Sequence, residues 1–304
     1  AWHLLPVIGV MNFPSSLFIW DMFALSGYLV INATLVLYAL WRLSTGKEYR
    51  LAFIFPLIVL SIPWAVSIHT ITAFLYNGLP ARPFWNASIL APRFLASAFC
   101  SGPALMLIVL QVIRRFSAVE IENRALFKIA ELVAYAMGVN VLLLTAEIFK
   151  EFYSGSVHLA PLEYLYFGLG EHGRLVPWIW EATAFNLIAF LIFLVPRLRE
   201  RLLFLNIGAV LIVLGVYVEK GVGLIVPGFI PDTLGEIYEY WPTPSEGIIA
   251  AGIWAAGALL FTLMVKFTIP IYTGEIRAGR ARVAEPSDRT PGALAASDAE
   301  TGRT

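Results

Sequence analysis

LAFIFPLIVLSIPWAVSIHTITAFLY, residues 51–76, decides the fold, because in the whole stretch only His69 is an acid or base that titrates near neutral pH. A helix that crosses a bilayer needs about 20 mostly apolar residues, which this stretch exceeds. In hydrocarbon every backbone polar group must find its partner inside the protein, so a spanning segment is either a helix or part of a closed barrel. The alternating pattern of a barrel strand is missing here, so the segment reads as a helix. Six further stretches read the same way, at about 17–41, 94–113, 126–149, 177–195, 202–219 and 248–271.

Composition agrees. The 304-residue chain is 59% hydrophobic and only 14% charged, and its mean hydropathy is +0.77. A soluble domain of this length carries about 25% charge. The expected architecture is therefore an all-α, polytopic transmembrane helix bundle over residues 1–275. From residue 276 onward Arg, Ala, Gly, Ser, Pro and Asp dominate, which reads as a disordered cytoplasmic tail. The chain begins with Ala and has no signal peptide, so a longer native N-terminus is expected.

The formal net charge is zero, so no nucleic-acid partner is indicated. How the charge is distributed says more. Lys and Arg gather in every second connection, around Lys47 and Arg50, around Arg114, Arg115 and Arg124, around Arg197, Arg199 and Arg201, and around Arg277 and Arg280. The positive-inside rule makes those connections cytoplasmic. Residue 1 then lies outside and the C-terminus inside. The short connections at 42–50 and 196–201 predict antiparallel neighbouring helices. In the loop 220–247, Glu236–Tyr240 suits a short surface helix and Pro242–Glu246 suits a cap for the last span.

Ionisable groups inside spans are costly, and they mark ion, proton or redox sites. At a rise of 1.5 Å per residue, His69 lies about 27 Å from Leu51, near the outer face. Asp21, Glu147, Glu181 and Glu219 fall at the same depth. Taken singly, each also has a plain structural explanation. Asp21 suits a helix cap, His69 a helix–helix hydrogen bond, and Glu219 with Lys220 a surface pair. Asn32, Asn140 and Asn186 suit interhelical hydrogen bonds. On the inner half, Lys128, Glu131 and Tyr135 share one helix face at i, i+3 and i+7, the geometry of an ordinary ion pair. With Asn140 and Glu147 they also mark a line of proton-transfer candidates.

Of the four histidines only His69 is well inside a span, and the single cysteine is Cys100. Two facing histidines for a b-type haem and several thiolates for an iron–sulfur cluster are therefore lacking. A quinone needs less: an apolar aromatic slot and one or two polar groups. His69, Asp21, Trp64, Trp85 and Arg93 supply these, with Glu147 and Glu181 as proton relays and menaquinone or ubiquinone as the non-covalent ligand. Asp232, Glu236 and Glu239 form a candidate acidic docking surface. The alternative is an ion-coupled or proton-translocating transporter, with α-helix breaks at Pro56 and Pro63.

Three stretches carry a family resemblance: 2–32 (WHLLPVIGVMNFPSSLFIWDMFALSGYLVIN), 68–105 (IHTITAFLYNGLPARPFWNASILAPRFLASAFCSGPAL) and 218–246 (VEKGVGLIVPGFIPDTLGEIYEYWPTPSE). They resemble NrfD/PsrC-like membrane subunits, most of all the DsrP-like subunits of Dsr sulfur-metabolism transmembrane complexes. The resemblance implies a haem-free, quinone-interacting subunit of a prokaryotic cytoplasmic (inner) membrane. Such a subunit exchanges electrons with a ferredoxin-like iron–sulfur subunit on the outer face. A multihaem cytochrome c and a haem b membrane subunit are implied in the same complex. It also implies about ten helices with both ends inside, so three N-terminal helices are expected to precede the seven seen here.

Overall fold

The computed structural model describes residues 12–156, 159–232 and 234–276. His3, His158 and nearly all of the tail expected from residue 276 lie outside the described residues. Among the described residues the regular structure is all helical. Helices α1 (Leu17–Ser44), α2 (Leu51–Asn77), α3 (Leu90–Phe116) and α4 (Asn123–Ser154) come first. A short α5 (Leu159–Tyr166) leads to α6 (Val176–Leu194), a one-turn α7 (Pro196–Arg199) and α8 (Leu202–Lys220). The single turn α9 (Val222–Ile225), a 3₁₀ turn at Pro227–Phe229 and a long α10 (Pro244–Tyr272) complete the order. Seven helical stretches among the described residues are long and apolar enough to cross a membrane.

The helices outrun the hydrophobic stretches at several ends, because a backbone that is already hydrogen-bonded keeps its geometry into the polar interface. α4, for example, begins at Asn123 and ends at Ser154. Pro56 and Pro63 do not break α2, which runs unbroken from Leu51 to Asn77. The break invoked for a transporter is therefore absent at these prolines. No helix forms at Glu236–Tyr240 either. There Asp232 Oδ1 accepts from the Leu234 and Glu236 amides at 2.8 Å, and the Glu236 carbonyl accepts from the Asp232 amide at 2.9 Å. This Asx-type turn uses the groups a helix would need. The last span does carry a capping box: Thr243 Oγ1 accepts from the Glu246 amide and Glu246 reaches back to the Thr243 amide.

α3, α4, α6 and α8 form a four-helix core, with Cys100, Leu107, Leu126, Met137, Phe193 and Ile212 fully buried. α2 packs on α3, α1 on α2, and α10 against α1. A second apolar cluster closes one end of the bundle, around Trp85, Leu90, Tyr164, Leu175, Ile179 and Leu224. That end carries the long connections 78–89, 155–175 and 221–243 and is termed the loop-rich end. The opposite, basic end carries the short connections with Lys47, Arg50, Arg197 and Arg201.

Candidate functional site

Two polar sites form near the loop-rich end, on different helices. The first is an ion cluster inside the four-helix core. Arg93 on α3 donates to Glu147 on α4 and, at 2.8 Å, to Glu219 Oε1 on α8. Asn186 Nδ2 on α6 donates to Glu219 Oε2 at 3.0 Å. The Lys220 ammonium lies 3.1 Å from Glu219 Oε1 but off the line of a hydrogen bond, so it is an ion pair by distance alone. Arg93, Glu147 and Glu219 are each about 95% shielded. Two cations against two carboxylates leave the cluster neutral, and charges this deeply buried persist only when so balanced. Gly215 makes room for it, since a Cβ there would stand 2.5 Å from Asn186 Oδ1.

Tyr166, at the end of α5, borders this cluster. Burial pushes its phenol up to about 12, and the nearby Glu219 carboxylate adds to the effect. Asn140 lies on α4, about 10 Å along the helix from Glu147. It is buried, and neither end of its amide finds a partner among the described residues.

The second site is a cavity of about 640 Å³. Its walls come from α2 (Thr72, Leu75, Tyr76), from the following loop (Pro80, Arg82, Trp85) and from Phe229. Trp85 is buried and stands edge-on to Tyr76 at 5.2 Å and to Phe229 at 4.9 Å. Its indole Nε1 donates to the Leu224 carbonyl at 2.9 Å. Gly228 lies directly under the ring, where a Cβ would collide with it. Arg82 places its guanidinium 5.1 Å over Phe229 and donates to the Phe229 carbonyl at 3.3 Å. At the cavity's edge Thr72 donates to Asp21 Oδ1 at 3.0 Å. His69, half-buried, precedes Thr72 by three residues and Tyr76 by seven, so all three share one face of α2.

The five groups expected at one depth thus separate. Glu147 and Glu219 meet in the core, Asp21 and His69 belong to the α1–α2 side, and Glu181 is exposed on the bundle surface. Glu219 and Lys220 are a buried pair, not a surface one, because α8 turns Glu219 toward Arg93. Arg93 joins the ion cluster and not the cavity. Trp64 is a spacer between α1 and α2, donating from Nε1 to the Ala24 carbonyl at 2.8 Å. Lys128, Glu131 and Tyr135 do bond one another, at the basic end and on a partly exposed face. In the loop 221–243, Asp232 is spent on its own turn, and Glu239 pairs with Arg174 at 3.2 Å, so neither is a free acid. Glu236 accepts from the Tyr238 hydroxyl, which holds that phenol above its ordinary value.

Sequence reasoning passes over Thr72 and Tyr76, although their i+3 and i+7 spacing from His69 is a usable signal. Arg82 and Phe229 come together only through the fold, across 147 residues.

A family model for NrfD, described as polysulphide reductase, NrfD, matches residues 1–230. This chain belongs to the NrfD family. It is an integral, multi-pass membrane protein by that membership and by its seven apolar helices. The NrfD chain is 25% identical over 280 residues to the Hdr-like menaquinol oxidoreductase integral membrane subunit of Archaeoglobus fulgidus, covering 87% of this chain and 68% of that one. It is 24% identical over 225 residues to the C subunit of the selenate reductase of Mesobacillus selenatarsenatis, covering 70% and 51% respectively. The NrfD chain thus spans about two thirds of the first relative's length and half of the second's.

Proposed function

We propose that this NrfD chain is the quinone-interacting membrane subunit of a respiratory redox complex, with the quinone ring seated in the cavity beside Trp85. One observation carries the reading: an aromatic-walled cavity of about 640 Å³ opens where α2 presents Thr72 and its Asp21 partner. Ligand pockets for small apolar molecules are concave, mostly apolar and carry few polar groups, and their volumes fall at about 300–1,000 Å³. Tyr76, Trp85 and Phe229 fit a flat ring, and Thr72, Asp21 and His69 fit its oxygens. The relatives named for menaquinol oxidation and selenate reduction support the class of chemistry.

Quinol oxidation releases two electrons and two protons. In this reading His69 accepts a proton from the quinol. Asp21, held by Thr72, takes it toward the loop-rich end. Electrons pass to or from a ferredoxin-like iron–sulfur subunit docked on that end, taken as the outer face. In the narrower, DsrP-like reading linked to dissimilatory sulfur metabolism, the complex also holds a multihaem cytochrome c and a haem b membrane subunit. Docking would use the exposed Leu234 and the exposed, mutually bonded Glu236 and Tyr238, since Asp232 is held in its own turn and Glu239 pairs with Arg174.

The test is binding of a menaquinol analogue to the purified protein, with and without His69→Ala, across pH. Saturable binding is expected, about tenfold weaker in the variant, in keeping with loss of one hydrogen bond to a charged group. Undiminished affinity in His69→Ala and Thr72→Val together would move the quinone elsewhere.

A further inference from the structure

The basic end holds a second kind of site. A cavity of about 510 Å³ lies between the start of α4 and α7, lined by Arg124, Phe127, Lys128, Glu131, Arg199 and Glu200. Three bases against two acids leave it one positive charge. Glu131 is fully used inside the cavity wall: it accepts from Lys128 at 3.1 Å and from the Tyr135 hydroxyl at 2.9 Å, and it pairs with Arg199 at 3.6 Å. Arg199 is largely shielded and also donates to the Phe193 carbonyl. These contacts fix the two cations in place. Lys128 is nevertheless 65% exposed, and Arg124 is exposed beside it.

The N-cap residue of α4 is Glu122, whose side chain makes no capping hydrogen bond, and the first turn itself carries Arg124 and no acid. A cation at the positive end of a helix dipole is unfavourable unless an anion joins it. The cavity lining's surplus of one positive charge invites an anion from outside.

The rest of α4 says what kind. Below Lys128, the residues Leu132, Tyr135, Val139 and Leu142 follow at helical spacing on one face, each more than half exposed. From Lys128 to Leu142 the stripe is about 21 Å long, against about 15 Å for one leaflet's hydrocarbon. An exposed apolar stripe leading away from a basic cavity fits a molecule with an anionic head and an acyl tail. We infer that the cavity at Arg124, Lys128 and Arg199 binds the phosphate headgroup of an anionic phospholipid, whose acyl chain lies along α4. Basic pockets between transmembrane helices are suited to such headgroups. This holds whichever face of the membrane the basic end occupies, and whether or not the Trp85 cavity takes a quinone.

Native mass spectrometry of the purified chain tests it, with dioleoylphosphatidylglycerol and dioleoylphosphatidylcholine as probes of identical tails. Wild type is expected to retain the anionic lipid preferentially. The Arg124→Gln/Lys128→Gln double variant is expected to lose about tenfold or more of that preference. Arg42→Gln/Lys47→Gln, an equal charge loss at the same end, is expected to keep it. Thermal unfolding without lipid confirms that both variants fold. A preference that persists in the first pair, or falls equally in the second, overturns the site. So does displacement of the lipid by millimolar inorganic phosphate, which would mark a soluble-oxyanion site.

Discussion

Arg93 is the residue on which the core's charge balance turns. Its planar fork reaches Glu147 and Glu219 on two different helices, which a lysine's single ammonium does not reproduce. Removing it takes the cation from the buried Glu147 and leaves the buried Glu219 with Lys220 and the Asn186 amide. Arg93→Ala is therefore expected to cost about 3–5 kcal/mol of stability, the usual penalty for orphaning a buried charge. Arg93→Lys should recover only part of that. Thermal or denaturant unfolding in a fixed detergent measures both, and an Arg93→Ala midpoint equal to wild type would show that the cluster does not support the fold. The cluster is half legible in the sequence. Glu147 and Glu219 stand out as acids in spans, and Asn186 as an interhelical hydrogen-bonding group. Their joining through Arg93 is not legible, because helical spacing gives depth along the membrane normal but not which faces of α3, α4 and α8 meet.

At the scale of elements, the Trp85 cavity depends on a segment far away in sequence. The turn at Pro227–Phe229 supplies one aromatic wall, and Gly228 lets the indole of Trp85 lie flat against its backbone. Gly228→Ala is expected to push the ring from its place and weaken its bond to the Leu224 carbonyl. Overpacking of this kind costs about 1–3 kcal/mol. The cavity wall should move with the ring, so menaquinol-analogue affinity should fall several-fold at the same time. Gly252→Ala, with open space around it on α10, serves as the control and should be neutral or slightly stabilising. Equal analogue affinity in Gly228→Ala and wild type would detach the cavity from quinone binding. The seven-helix pattern is readable from hydropathy because lipid dictates it. This loop-to-loop contact is not, because Gly and Pro in 220–247 announce irregular backbone without saying where it docks. The expected helix at Glu236–Tyr240 fails for the same local reason: the Asp232 side chain captures the backbone amides first.

For the whole molecule, the prediction concerns which end faces out. Lys and Arg recur at one end in every second connection, while the other end holds the aromatic cavity, the acidic loop and the long connections. In the orientation proposed above, the basic end is cytoplasmic and the cavity lies near the outer face. The native Cys100 is fully buried and is expected to stay unlabelled by a membrane-impermeant maleimide. In a Cys100→Ala background, Ser88→Cys sits on an exposed loop-rich connection and Lys47→Cys on an exposed basic one. Ser88→Cys should label in intact cells. Lys47→Cys should label only in inverted vesicles. The reverse pattern would turn the molecule over and send protons released near Asp21 and His69 to the cytoplasm. The proposed iron–sulfur partner would then dock from the cytoplasm. The same labelling also bears on energy conservation, because quinol oxidation at the outer face releases its protons outside, with no pathway through Asn140 required.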